Sequence, residues 1–133
     1  MTAEKYLQQI SKLDAIILNK VNEYKRWVSV ADSMGGFSVG DRVQSSRNLQ
    51  RGADAIAEYI DIEREINALK SRKKAILDTL QRLPCKEYEI LYMIYVEGHM
   101  LKELPSHFDR SYDWVRKTKR KALEHLQDIL DEQ

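Results

Sequence analysis

The chain has 133 residues, 32% of them charged, with few glycines and prolines and a formal net charge of +1. That length holds one domain with a modest core, or a small domain plus a helical extension, and the composition favours a helical protein with long solvated faces. The near-balance of charge excludes a general basic coat. Any polyanion must be met by a local patch, because charge acts over a Debye length of roughly 8 Å.

One cysteine, Cys85, excludes an internal disulfide and is compatible with a reducing compartment. The opening MTAEKYLQQI is polar and amphipathic, unlike a signal peptide. No apolar run approaches the roughly 20 residues that span a bilayer. The expectation is a cytoplasmic protein with no membrane partner.

From about Ala3 to Ser29, apolar side chains fall at Tyr6, Ile10, Leu13, Ile17, Val21, Tyr24 and Val28. Steps of three and four place them on one stripe of an α-helix. Between Asp32 and Asn48 the pattern gives way to glycines and serines, which predicts a loop. Within it, Arg42 and Arg47, with Arg51 beyond, either meet a phosphate or a partner or simply lead into the next helix. Helical spacing returns with Ala55, Tyr59, Ile62, Ile66, Leu69, Ile76, Leu80 and Leu83, with Lys73 at the one polar turn. The alternation of four and three predicts packing along the length of a partner helix. The simplest arrangement is an antiparallel hairpin over residues 1–83. A second chain could fill the seam instead, so a homodimer or higher homo-oligomer is expected.

Leu83-Pro84 ends the long helix, since proline disfavours helical geometry in the residue before it. A third helix is predicted from about Lys86 to Val96, closed by Gly98. A short segment follows from Leu101 to Phe108, then a turn at Asp109-Arg110, then a last helix from Ser111 towards Asp131. The inner stripe of that helix is Val115, Thr118, Ala122, Leu126 and Ile129. After Lys121 the sign of charge flips to acidic, with Glu124, Asp128, Asp131 and Glu132, and a frayed tail is expected.

The run SYDWVRKTKRKAL, Ser111 to Leu123, carries the functional signal. A short helix, a tight turn and a longer helix with a polar, basic front is the helix-turn-helix arrangement. Ser111 is expected to cap the last helix and Asp113 to complement its dipole. Tyr112, Asp113, Trp114, Arg116 and Lys117 are then placed for base edges in the major groove, and Arg120 and Lys121 for phosphates. A basic helix face is ordinarily only a solvated face, and Trp114 could instead pack against Phe108 or the hairpin.

From Leu83 to Leu126 the chain resembles region four of bacterial sigma factors, the module that reads the upstream promoter element. Leu83-Pro84 opens the match and KEYEILYMIY, Lys86 to Tyr95, supplies its first helix. Glu97-Gly98 makes the turn, and Leu101 and Leu104 hold the next apolar positions. Ser111, Val115, Arg116, Ala122, Leu123 and Leu126 match the recognition helix. The layout, with the opening MTAEKYLQQI and the segment GDRVQSS (Gly40 to Ser46), is similar to phage-encoded transcriptional regulators of the ArpU and RinA kind. The resemblance implies an all-α fold: a long antiparallel hairpin, residues 1–83, ahead of a helix-turn-helix bundle, residues 84–133. It also implies double-stranded DNA as partner, with RNA polymerase as a further one. Pro105 stands where the family favours a small residue, so this helix either is irregular or begins there. Asp109 stands where the turn usually has glycine, and aspartate tolerates a left-handed backbone. Arg110 replaces a typically apolar residue.

No cofactor, metal or catalytic group is expected. His99, His107 and His125 have no zinc-ligand spacing and read as surface histidines. The rivals to a regulator are a phage small terminase subunit, which also joins a helix-turn-helix to oligomerising helices, and a protein-interaction module that binds RNA polymerase without DNA.

Overall fold

The structure, a computed structural model, describes residues 1–35 and 46–133. It is all-α. Helix α1 spans Ala3–Gly35, α2 Ser46–Leu80, α3 Cys85–Leu91, α4 Leu104–Phe108 and α5 Tyr112–Asp131. A π-helical turn, Tyr92–Val96, continues α3, and a 3-10 turn, Leu101–Glu103, leads into α4. Among the described residues there is no strand, and no helix is long and apolar enough to cross a membrane.

Helices α1 and α2 form the expected antiparallel hairpin. Helix α1 runs past Ser29 to Gly35: Ala31 is buried, and the Ser33 hydroxyl donates to the Val30 carbonyl at 3.0 Å. The predicted loop Asp32–Asn48 is therefore helical at both ends, because local glycine and serine content does not outweigh helix propagation from a packed stripe. Residues 36–45, including Arg42, lie outside the described residues, as does the side chain of Arg47.

The chain groups into two compact units, Met1–Asp14 with Arg72–Gln133, and Ala15–Ser71. This grouping differs from the expected division after residue 83. The start of α1 and the end of α2 pack with the C-terminal helices, so the proline that ends α2 is a turn within one unit and not a boundary between two.

In the middle unit, Ala31, Ala55, Ile62 and Ile66 are buried. The rings of Tyr24 and Tyr59 meet edge to face at 5.6 Å, and Lys20 pairs with Glu65 at 2.6 Å. That hydrogen bond, foremost, raises the Lys20 pKa. Exposed ion pairs contribute little; burial of the stripe residues, about 1.5–3 kcal/mol for each large apolar side chain, holds the helices together.

In the terminal unit the buried set includes Leu7, Ile10 and Leu13 from α1, Ile76 and Leu80 from α2, and Ile90, Leu104, Val115, Ala122 and Leu126 from the later helices. Lys73, the polar member of the α2 stripe, meets Asp14 at 2.6 Å. The Gln127 carboxamide of α5 caps the start of α1. Its Oε1 accepts from the Ala3 N–H at 2.7 Å, and its Nε2 donates to the Met1 carbonyl at 3.3 Å. One side chain thus satisfies backbone groups that a helix start leaves open.

Candidate nucleic-acid interface

The two short helical pieces ahead of α5 set its direction. Helix α3 passes into a π turn in which the Glu97 N–H donates to the Tyr92 carbonyl at 3.1 Å. Gly98, at φ 77°, then reverses the chain, and the His99 N–H donates back to the Met93 carbonyl at 2.9 Å. The predicted single helix to Val96 is therefore α-helical only to Leu91.

Pro105 lies in the first turn of α4, where its missing N–H leaves no bond unmade. The 3-10 turn before it supplies the irregularity that the sequence suggested. Asp109 is left-handed, φ 52° and ψ 47°, and closes α4, with the Arg110 N–H donating to the Pro105 carbonyl at 3.1 Å. The Ser111 hydroxyl then accepts the Trp114 backbone N–H at 3.1 Å and starts α5.

Behind α5, Ile90, Leu104 and Val115 form a fully buried cluster, flanked by Met93, Ile94, Leu101, Phe108 and Trp114. On its inner stripe Val115, Ala122 and Leu126 are buried, while Thr118 and Ile129 are half-buried. The helix persists to Asp131, so its acidic end remains helical.

The outward side of α5 carries the predicted residues. Tyr112 is 51% exposed. Asp113 bridges Arg116 at 2.9 Å and Lys117 at 3.0 Å, with the two cationic side chains 61% and 59% exposed. Hydrogen bonding from Lys117, then from Arg116, holds the Asp113 carboxyl below the usual carboxylate range. Arg120 and Lys121 are exposed further along.

Trp114 is the exception. It is half-buried, it packs on the Ile90–Leu104–Val115 cluster, and its ring lies 5.9 Å from that of Phe108. Its ring thus takes the packing position against Phe108 that the sequence left open.

Sequence reasoning missed two features at this surface. Lys86 of α3 and Arg110 of the turn sit over the Trp114 ring, 5.6 and 5.2 Å from its centre. Lys86 is remote in sequence, so no local pattern signals it. The second feature is a clip between α3 and α5. The His125 Nδ1 lies 2.9 and 2.8 Å from the two carboxylate oxygens of Glu87, a buried residue. The hydrogen bond to Glu87 raises the His125 pKa, with smaller help from Asp128 and Glu124. His99 is held similarly between Glu103 and Glu97, at 2.9 and 3.0 Å.

No known protein family, curated protein or solved structure matches the chain.

Proposed function

We propose that this chain is a sequence-specific DNA-binding transcriptional regulator of phage or prophage genes, with the first turns of α5 entering the major groove. The observation that carries the reading is the division of α5 into two sides. Val115, Ala122 and Leu126 anchor one side in the core, while Tyr112, Asp113, Arg116, Lys117, Arg120 and Lys121 stand exposed on the rest. A rigidly backed helix with a cationic outer side fits a groove where each base pair presents a distinct hydrogen-bond pattern. The transcriptional role rests on the likeness of Leu83–Leu126 to region four of sigma factors, which also makes RNA polymerase a partner. Large apolar side chains exposed on the middle unit, Leu18, Ile56 and Ile60 among them, support assembly with a second copy.

The test is selection of bound duplexes from a random pool, followed by two substitutions. Arg116→Ala costs about 1–3 kcal/mol at one base position of the selected motif. Lys121→Ala weakens binding to all duplexes alike and flattens the salt dependence. No enriched motif, or equal sequence-blind losses in both variants, removes the reading. Assembly into rings of many subunits points to a packaging protein instead.

A further inference from the structure

We propose that Lys86 and Arg110, held over the indole of Trp114, form a phosphate clamp beside the first turn of α5. This rests on the DNA-binding reading and names groups that supply its electrostatic component.

The four cations beside the first turn of α5 fall into two kinds. Arg116 and Lys117 share the Asp113 carboxylate, at 2.9 and 3.0 Å, so part of their charge is already answered within the protein. Lys86 and Arg110, both exposed, have no carboxylate within ion-pair distance among the described residues; what they meet is the Trp114 ring.

An aromatic face attracts a cation without accepting its N–H groups in conventional hydrogen bonds. The ring therefore limits where the two charges wander and leaves their donors for another acceptor. The ring itself is fixed: Trp114 lies against Ile90, Leu104 and Val115, and its backbone N–H is bonded to the Ser111 cap. Two charges from different elements, α3 and the Asp109-Arg110 turn, are thereby gathered at one end of α5. A duplex whose groove receives that turn carries phosphates along both rims, with the spacing of a regular polyanion. Lys86 and Arg110 contact phosphate; Trp114 is their positioning residue.

The experiment uses the full chain and the duplex it selects from a random pool, with affinity followed across a fourfold range of salt. Each phosphate that a variant no longer neutralises lowers the magnitude of the log–log salt slope by about 0.9, roughly a threefold change over that range. Lys86→Gln and Arg110→Gln are each expected to lower it by one such step and the double variant by two, with the selected motif unchanged. Trp114→Leu is expected to lower the slope while Trp114→Phe restores most of it. Loss of packing alone changes melting temperature and does not remove counterion release from binding that persists. The double variant leaves the core untouched, so it decides the matter even where Trp114→Leu unfolds. An unchanged slope in the double variant, with binding and motif intact, overturns the clamp and leaves the DNA reading standing. A parent chain that binds no duplex overturns both.

Discussion

Asp113 is the one acid on the basic front of α5, and it bonds both Arg116 and Lys117. On the DNA-binding reading proposed above, it thereby sets their geometry and lowers their pull on phosphates in general. Asp113→Asn is therefore expected to raise affinity for unrelated duplexes and steepen their salt dependence, measured by fluorescence anisotropy, while sharpness for the selected motif falls. Affinity for unrelated DNA unchanged across salt would contradict this role. At the other end of the helix, the Glu87–His125 clip predicts a pH effect. Folding raises the imidazole pKa above its ordinary 6.5, so the charged pair stabilises fully below that value. The stabilisation is lost as pH rises through the higher folded value. His99 acts with the same sign, through Glu103 first and Glu97 second. Melting temperature should fall as pH is raised from about 6 to about 9, and Glu87→Gln should flatten the fall and return His125 towards its ordinary pKa by NMR titration. A rise in stability over that window would invert the assignment.

At the scale of elements, the turn between α4 and α5 carries its own prediction. Asp109 occupies a left-handed conformation that most side chains adopt at a cost of roughly 1–2 kcal/mol. Asp109→Gly should leave stability unchanged or raise it by up to about 1 kcal/mol. Asp109→Val should lower it by more, since a β-branched side chain clashes there; denaturant unfolding of both variants checks the order. The turn was legible in sequence because aspartate tolerates a left-handed backbone better than most residues. The α2 stripe was legible for a different reason. Ala55, Ile62, Ile66, Ile76, Leu80 and Leu83 recur at helical period, and all are buried. Period identifies a buried face without naming what covers it. Ala3 and Leu7 were accordingly missed, since their burial belongs to a terminal unit whose other elements are remote in sequence. The π turn at Tyr92–Val96 left no local mark either, because its apolar residues suit an α-helix equally well. Trp114 lay off the inner stripe, and only the position of Phe108 across the turn makes it a packing residue.

For the molecule as a whole, the consequence is that residues 84–133 hold only part of the core of their unit: the Ile90–Leu104–Val115 cluster is their own, and the rest is shared. Residues 84–133 contribute Ile90, Leu91, Leu104, Val115, Ala122 and Leu126, but the same unit buries Leu7, Ile10, Leu13, Ile76, Leu80 and Leu83 from outside that segment. A chain of about 50 residues buries a small share of its surface and is marginal without such support. The Gln127 hydrogen bonds with Ala3 and Met1 tie α5 to the beginning of the chain. A fragment starting at Pro84 is therefore expected to melt without a cooperative transition and to lose selective DNA binding. In the full chain, Leu7→Ala should cost about 2–5 kcal/mol, as for other large core residues cut to alanine, although no residue near Leu7 is proposed to touch DNA. Measured by circular dichroism, a cooperative transition in the isolated fragment at the temperature of the full chain would show that the C-terminal helices fold alone. The packing of α1 and α2 against them would then be an accessory to α5 and not its foundation.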